Sequence, residues 1–475
     1  MRNQKGFFAI IICMVLIITA LPASATNNAI TTIVKPILDY DDTLGFSEGM
    51  ACVSKDGKYG FVDTAGKEVV SPQYDYADFY SEGLAGVYVG DSEQKGGFID
   101  KEGNVIVPLI YDYVDYFSEG LAAVAKGNYI DEDMKWGFVD KTGKEVVAPK
   151  YDNVTYFSDG LCAVTLNGKS GFIDGNGNEV IPLKYDRVGN FSEGLAVVKL
   201  KGKYGYIDKT GNEIIPPQFS YAYVFSEGLA AVRIGKDYDG KFGFIDKTGN
   251  LVVPAKYDFV SGFQDGYAIA SMNYEESVIN KNGKAVIDPK YYVIGHNEGM
   301  FNVELGGKCG FVNDQGKLVI YPKYNDAGNF SEGLAAVELG GYENGKWGFI
   351  DKTGKRVVPI KYDLVYDVEN SLAAVVNNAR FGIIDISGNE ALPFDYDYIS
   401  DFNEGLAWTE SNGKWGIIKY SNGYNKTKSY KYYPNDFYLP GLYNSDVSRE
   451  NTKKDLFNYN SSLHNKSLYL QKIRG

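Results

Sequence analysis

Residues 135–144 read KWGFVDKTGK, and residues 346–355 read KWGFIDKTGK. One conservative change separates them. Related stretches centre on Gly60, Gly97, Gly171, Gly205, Gly243, Gly310, Gly382 and Gly416, and a decayed copy reads Ser277-Val278-Ile279. A catalytic signature is not written that often, whereas a structural unit is.

A second box, FSEGLAAV in its fullest form, places glycine at Gly49, Gly83, Gly120, Gly160, Gly194, Gly228, Gly266, Gly299, Gly333 and Gly405, with Ser371 in one copy. The period is about 35 residues. A third box, P-x-K-Y-D, is clearest at Pro182–Asp186 and Pro359–Asp363; it first appears at 36–41 and last at 393–397. Each unit reads as three strands. LAAV is the first, WGFID the second and KEVV-x-P the third. Asn167-Gly168 marks a hairpin between the first two, because both residue types tolerate positive φ. Asp140 to Gly143 and Asp351 to Gly354 mark a type I turn after the second strand. The link YDxVxxFSEG places apolar residues three apart and reads as a 3₁₀-like bend. Apolar residues run consecutively in several strands, as in a strand covered on both faces by neighbouring units.

These boxes, recurring in fixed order over about residues 36–420, resemble the bacterial WG-repeat (KWG-repeat) family. The chain departs from the pattern by keeping tryptophan in only three WG slots, at Trp136, Trp347 and Trp415. The resemblance implies β-rich repeats with interaction roles and brings no catalytic residues. The expected fold is all-β, about eleven three-stranded repeats stacked as an open β-solenoid; one or two β-propellers are the alternative. The residues singled out are those of the repeat motif: Trp136, Gly137, Asp140, Gly143, Trp347, Gly348, Asp351, Gly354, Trp415 and Gly416.

Residues 1–25 read as a secretory signal peptide, with Arg2 and Lys5 before an apolar run and cleavage near Ala25. No second apolar stretch of spanning length follows, and YLPG at 438–441 lacks the rest of a sortase signal. The array is expected over 26–420, and 421–475 as a basic cap or tail. That tail holds 9 Lys/Arg against 4 Asp/Glu, a net of +5 within a chain of −13. The acidic body argues against nucleic acid as a partner.

Candidate chemistry is sparse. Cys52, Cys162 and Cys309 give no disulfide framework. His296 and His464 have no supporting spacing for a nucleophilic site. Carboxylates recur in like positions in unit after unit, which suits turn capping rather than the two unlike acids of a glycosidase. Residues 174–179, DGNGNE, lack the later acids of a calcium loop. The sequence therefore predicts an exported, non-enzymatic, monomeric binding scaffold without metal or cofactor. Its partner is a protein or a cell-wall polysaccharide at or outside the cell surface. A carbohydrate-active enzyme using a surface carboxylate pair and a purely structural spacer are the rivals. Units near 266–310 depart most from the consensus, which reads as drift.

Overall fold

The computed structural model describes residues 29–421, apart from 91–93, 128–132, 237–238, 274 and 342–343. The signal-peptide and tail readings thus lie outside the described residues.

The chain forms eleven small antiparallel sheets, ten of four strands and one of three. Blade 3 is representative, with strands Tyr113–Val114, Leu121–Lys126, Lys135–Asp140 and Glu145–Tyr151. The link read as a 3₁₀-like bend is a correction: its Tyr113–Val114 part pairs with Ala125 and Val124 as a short first strand, so a blade has four strands rather than three. The FSEG box then closes a two-residue hairpin, with mutual backbone bonds between Ser118 and Leu121. Both residues of that turn have positive φ, 52° at Glu119 and 83° at Gly120, the geometry that matches strand twist. The Asn167-Gly168 hairpin has the same geometry, with φ of 54° and 70°.

The expected open solenoid is also corrected. The sheets form a β-propeller-like ring, the alternative reading, as one ring of eleven blades. Its closure is physical: the first strand, Ile30–Leu38, is the fourth strand of the last blade. It pairs antiparallel with Lys414–Tyr420, Thr31 facing Lys419, Val34 facing Ile417 and Leu38 facing Trp415. Among the described residues, the array begins with a P-box that has no blade of its own and ends on a WG strand that has no P-box. The two half-units complete each other.

First strands lie toward the ring axis. In blade 2, Tyr76–Ser81 packs on the first and second strands of blade 1. The second and third strands carry the core, with Ala122, Val124, Phe138 and Val139 all buried. Fourth strands lie outermost, where the proline of each P-box leaves no donor unpaired within the ladder.

Candidate functional site on the inner wall

The repeated residues are occupied by structure. Trp136 is half-buried and meets Tyr113 of its own blade edge-on, with centroids 5.3 Å apart. Trp347 is half-buried against the Phe349–Val358 core of blade 9. Trp415 is buried and donates from Nε1 to the Tyr40 carbonyl at 3.1 Å, across the closure. The WG glycine is where the outer strand bulges inward. A Cβ on Gly137 would lie 2.3 Å from the Val147 oxygen, one on Gly348 2.6 Å from the Pro359 oxygen, and one on Gly416 2.7 Å from Pro36 N.

Asp140 Oδ1 accepts from the Thr142 N–H at 2.9 Å, the Thr142 hydroxyl at 2.6 Å and the Lys144 N–H at 3.1 Å. Asp351 repeats this with Thr353 and Lys355. The turn bonds hold both carboxyls below the ordinary aspartate range. Gly143 and Gly354 end these turns with φ of 83° and 82°, and a Cβ on Gly143 would lie 2.4 Å from the Ile106 oxygen of the preceding blade.

The other repeated polar residues join blade to blade. Between blades 3 and 4, Lys135 pairs with Asp152 at 2.6 Å. Ser118 Oγ donates to the Phe157 carbonyl at 2.9 Å. Glu119 accepts the backbone N–H groups of Asp159 and Gly160 at 2.8 and 2.9 Å, and Phe138 meets Phe157 edge-on at 4.9 Å. The same glutamate clamp crosses the closure, where Glu404 accepts from Glu48 N and Gly49 N, both at 2.8 Å. The periodic lysines, serines and acids are thus a connector set.

The side chains this set leaves over stand on the inner strands. Two positions before the box phenylalanine, blades 2 and 3 carry Asp78 and Asp115, where the blades on either side carry Leu44 and Thr155. Each aspartate accepts the N–H that follows it, from Phe79 and from Tyr116, at 2.9 Å. Burial pushes both carboxyls up, and the Asp78 charge adds to the push on Asp115. Burial, with Asp115 and Asp78 adding, takes the Tyr113 phenol up to about 12. Phe79 is 46% exposed and Tyr113 45%, and the Phe79 and Tyr116 rings lie 6.5 Å apart. On the other side of the closure, Asp401 pushes up the Tyr366 and Tyr398 phenols after burial itself. The inner wall from blade 10 through the closure to blade 3 is therefore acidic and aromatic. The sequence signal was a variable position inside an otherwise regular box.

Among the described residues, no group of three or more His, Cys, Asp or Glu could hold a metal, and no helix is long and apolar enough to cross a membrane. Cys52, Cys162 and Cys309 are buried and unpaired. Burial pushes the Cys162 and Cys309 thiols up to about 12 and about 11. His296 fills a box phenylalanine slot and meets Asp314 at 2.8 Å through Nε2.

The sequence matches the family described as WG containing repeat in eleven consecutive segments, the first 32–59 and the last 381–415. The chain belongs to the WG-repeat family. After the first segment, which starts in the outer strand Ile30–Leu38, each matched repeat starts in the third strand of one blade and ends at or just before the third strand of the next, so the sequence unit is offset from the blade by two strands. A comparison with curated proteins gives no match. Among solved structures, a eukaryotic initiation factor is similar at 12% identity and a TM-score of 0.38, covering 78% of this chain and 98% of that one. The extracellular domain of a putative hybrid two-component system from B. thetaiotaomicron is similar at 10% identity and a TM-score of 0.22, covering 82% and 65%. At such scores neither says anything about partner or activity.

Proposed function

We propose that this WG-repeat ring is an exported, non-enzymatic scaffold that binds a protein or a cell-wall polysaccharide. The observation that carries the reading is the division of labour among its polar residues. Those repeated from blade to blade are engaged in turns and blade junctions, whereas Asp78 and Asp115, which break the repeat, stand on the inner wall. Flat aromatic rings beside carboxylates suit sugar faces and cationic groups. Phe79, Tyr113, Asp78 and Asp115 are the residues we assign to contact.

The test is retention of the full chain on purified cell wall and on secreted proteins, compared with a Phe79→Ala/Asp115→Asn variant. Retention by neither material at micromolar concentration, or retention that the variant leaves unchanged, sinks the reading.

A hydrolase reading has one observation in its favour, because Asp78 and Asp115 form a carboxylate pair outside the repeat. Hydrolysis needs the two acids in unlike environments, one held protonated and the other ionised. Here both occupy the same slot of adjacent blades, and burial moves both the same way. Release of reducing sugar from cell wall, abolished by Asp115→Asn, would revive this alternative.

A further inference from the structure

Blade 7, with strands Phe259–Val260, Tyr267–Met272 and Glu275–Asn280, is the three-stranded sheet. The register explains why. Ala270 faces Ser277 as Val232 faces Gly243 in blade 6. Ser277 therefore stands in the glycine slot, one place from where its sequence suggests, with Glu276 in the aromatic slot and Glu275 in the lysine slot. In blade 6 a Cβ on Gly243 would lie 2.5 Å from the Val253 oxygen of the outer strand. Ser277 carries such a Cβ, so the outer strand cannot bulge inward over it.

The strand nevertheless begins. Ala285 bridges to Ile279, Val286 N–H donates to the Val278 carbonyl at 2.8 Å, and Ile287 is buried. It then leaves through a turn in which Tyr291 N–H donates to the Asp288 carbonyl at 3.0 Å. The tyrosine that closes an outer strand is buried in its neighbours, as Tyr257 and Tyr324 are. Its counterpart Tyr291 stays half-buried at the rim. The place it leaves is a cavity of about 800 Å³, floored by Ile269, Val278, Ile287 and Val293 and rimmed by Glu275 and Glu276. The Ser277 hydroxyl is buried there and makes no hydrogen bond. An open strand edge over an apolar floor is a site for strand addition.

The chain holds a matching piece. Residues 437–443 read FYLPGLY, with apolar residues at the second and third positions, proline at the fourth and tyrosine at the seventh. Outer strands 179–185 (EVIPLKY), 251–257 (LVVPAKY) and 356–362 (RVVPIKY) share that spacing. Asn444 follows Tyr443 as Asn325 follows Tyr324. Blade 11 already has its outer strand in Ile30–Leu38. The ring is short of half an outer strand, and the tail carries an outer-strand sequence with no blade to complete.

We infer that residues 440–443 dock on the open half of the blade 7 edge in the same molecule, beyond the part held by Ala285–Ile287, with Tyr443 opposite Glu276 and its ring in the cavity. Backbone groups of the incoming strand supply the partner that the Ser277 hydroxyl lacks. The fifth position of an outer strand passes the glycine slot closely: Ala255 N would lie 2.7 Å from a Cβ on Gly243. The tail has Gly441 at this position, and glycine lets the backbone bow away from the Ser277 Cβ. The tail's net charge of +5 opposes the two rim glutamates. Reach suffices. Blade 7 lies four blades from blade 11, about 40 Å around the ring at ~10 Å per sheet-to-sheet step. The sixteen residues from Ser421 to Phe437 span up to roughly 50 Å.

The test uses the full chain. Glu276→Cys with Tyr443→Cys should form a disulfide within one molecule under mild oxidation, whereas Glu276→Cys with Tyr469→Cys should not. In the protein without these cysteines, amide exchange at residues 275–277 should quicken on the order of tenfold or more when Tyr443→Asp is introduced. That substitution lies outside the ring, so its melting should hold. Unchanged exchange in that variant, crosslinking no better than the control pair, or crosslinks only between two molecules would each overturn the proposal.

Discussion

At the scale of the residue, one amino acid type serves one geometric need. The WG glycine exists for the outer strand, which bulges over it. Gly137→Ala puts a Cβ within 2.3 Å of the Val147 oxygen. It should cost roughly 1–3 kcal/mol, as overpacking does, read as a lowered midpoint in chemical denaturation. The hairpin glutamates show the opposite bargain. Glu119 has a φ of 52°, uncommon for a residue with a side chain, and its carboxylate spans to two N–H groups of the next blade. Glu119→Ala keeps the awkward backbone and leaves those donors without their acceptor, so a loss of about 1–3 kcal/mol is expected by the same measurement. The turn aspartates set the acid limit. The Thr210 hydroxyl leads the bonds that hold Asp208 at about 2, and Asp140, Asp246 and Asp351 are lowered by like bonds. The unfolded chain, with aspartates near 3.9, binds more protons across this window. Stability from these turns is therefore full above about pH 4 and falls as pH drops toward 2. Circular dichroism against pH should show that loss, and Asp208→Asn should make it shallower.

At the scale of the element, the sequence reveals turns better than edges. Asn167-Gly168 and Asp140 to Gly143 announce their hairpins by composition alone, because few other residues adopt those dihedrals. Three features were not legible. The short first strand, such as Tyr113–Val114, is two residues long and shows no alternation to detect. The displacement of Ser277 into a glycine slot appears only when the ladder is paired, since the motif had decayed by then. The inner-wall acids went unread for a related reason. Asp78 and Asp115 sit in a slot whose variability resembles drift until the first strands are seen lining the axis. The closing strand is testable at this scale. Val34→Asp would bury a carboxylate beside Ile417 and Trp415. It should unseat Ile30–Leu38, and amide exchange in Lys414–Tyr420 should rise while blades 3 to 6 keep their protection.

At the scale of the whole molecule, the ring is built from similar junctions, of which the one between blades 7 and 8 departs most. Between blades 7 and 8, no lysine–aspartate pair or glutamate clamp crosses among the described residues. Glu275 occupies the lysine slot of the ion pair, and Asp314 replaces the turn lysine that in other blades reaches back to the preceding blade, as Lys247 does to Glu193 at 3.1 Å. The count of eleven blades was legible in the period. Closure was not, because the evidence for it is split between the two ends of the array: a P-box at Pro36 and an unfinished blade at Trp415. A ring has no free sheet ends to cap, which a solenoid must manage.

Closure is the claim on which the inner wall, and so the binding reading, depends. Thr31 and Lys419 face each other across the closing pair and are both exposed. Facing residues in antiparallel strands have Cα atoms about 4.5–5.5 Å apart, within disulfide reach. Thr31→Cys/Lys419→Cys in the full chain should oxidise to an intramolecular disulfide at high yield in dilute solution and raise the melting temperature. Free thiols at both positions, or crosslinks only between molecules, would show that the two ends of the array do not meet.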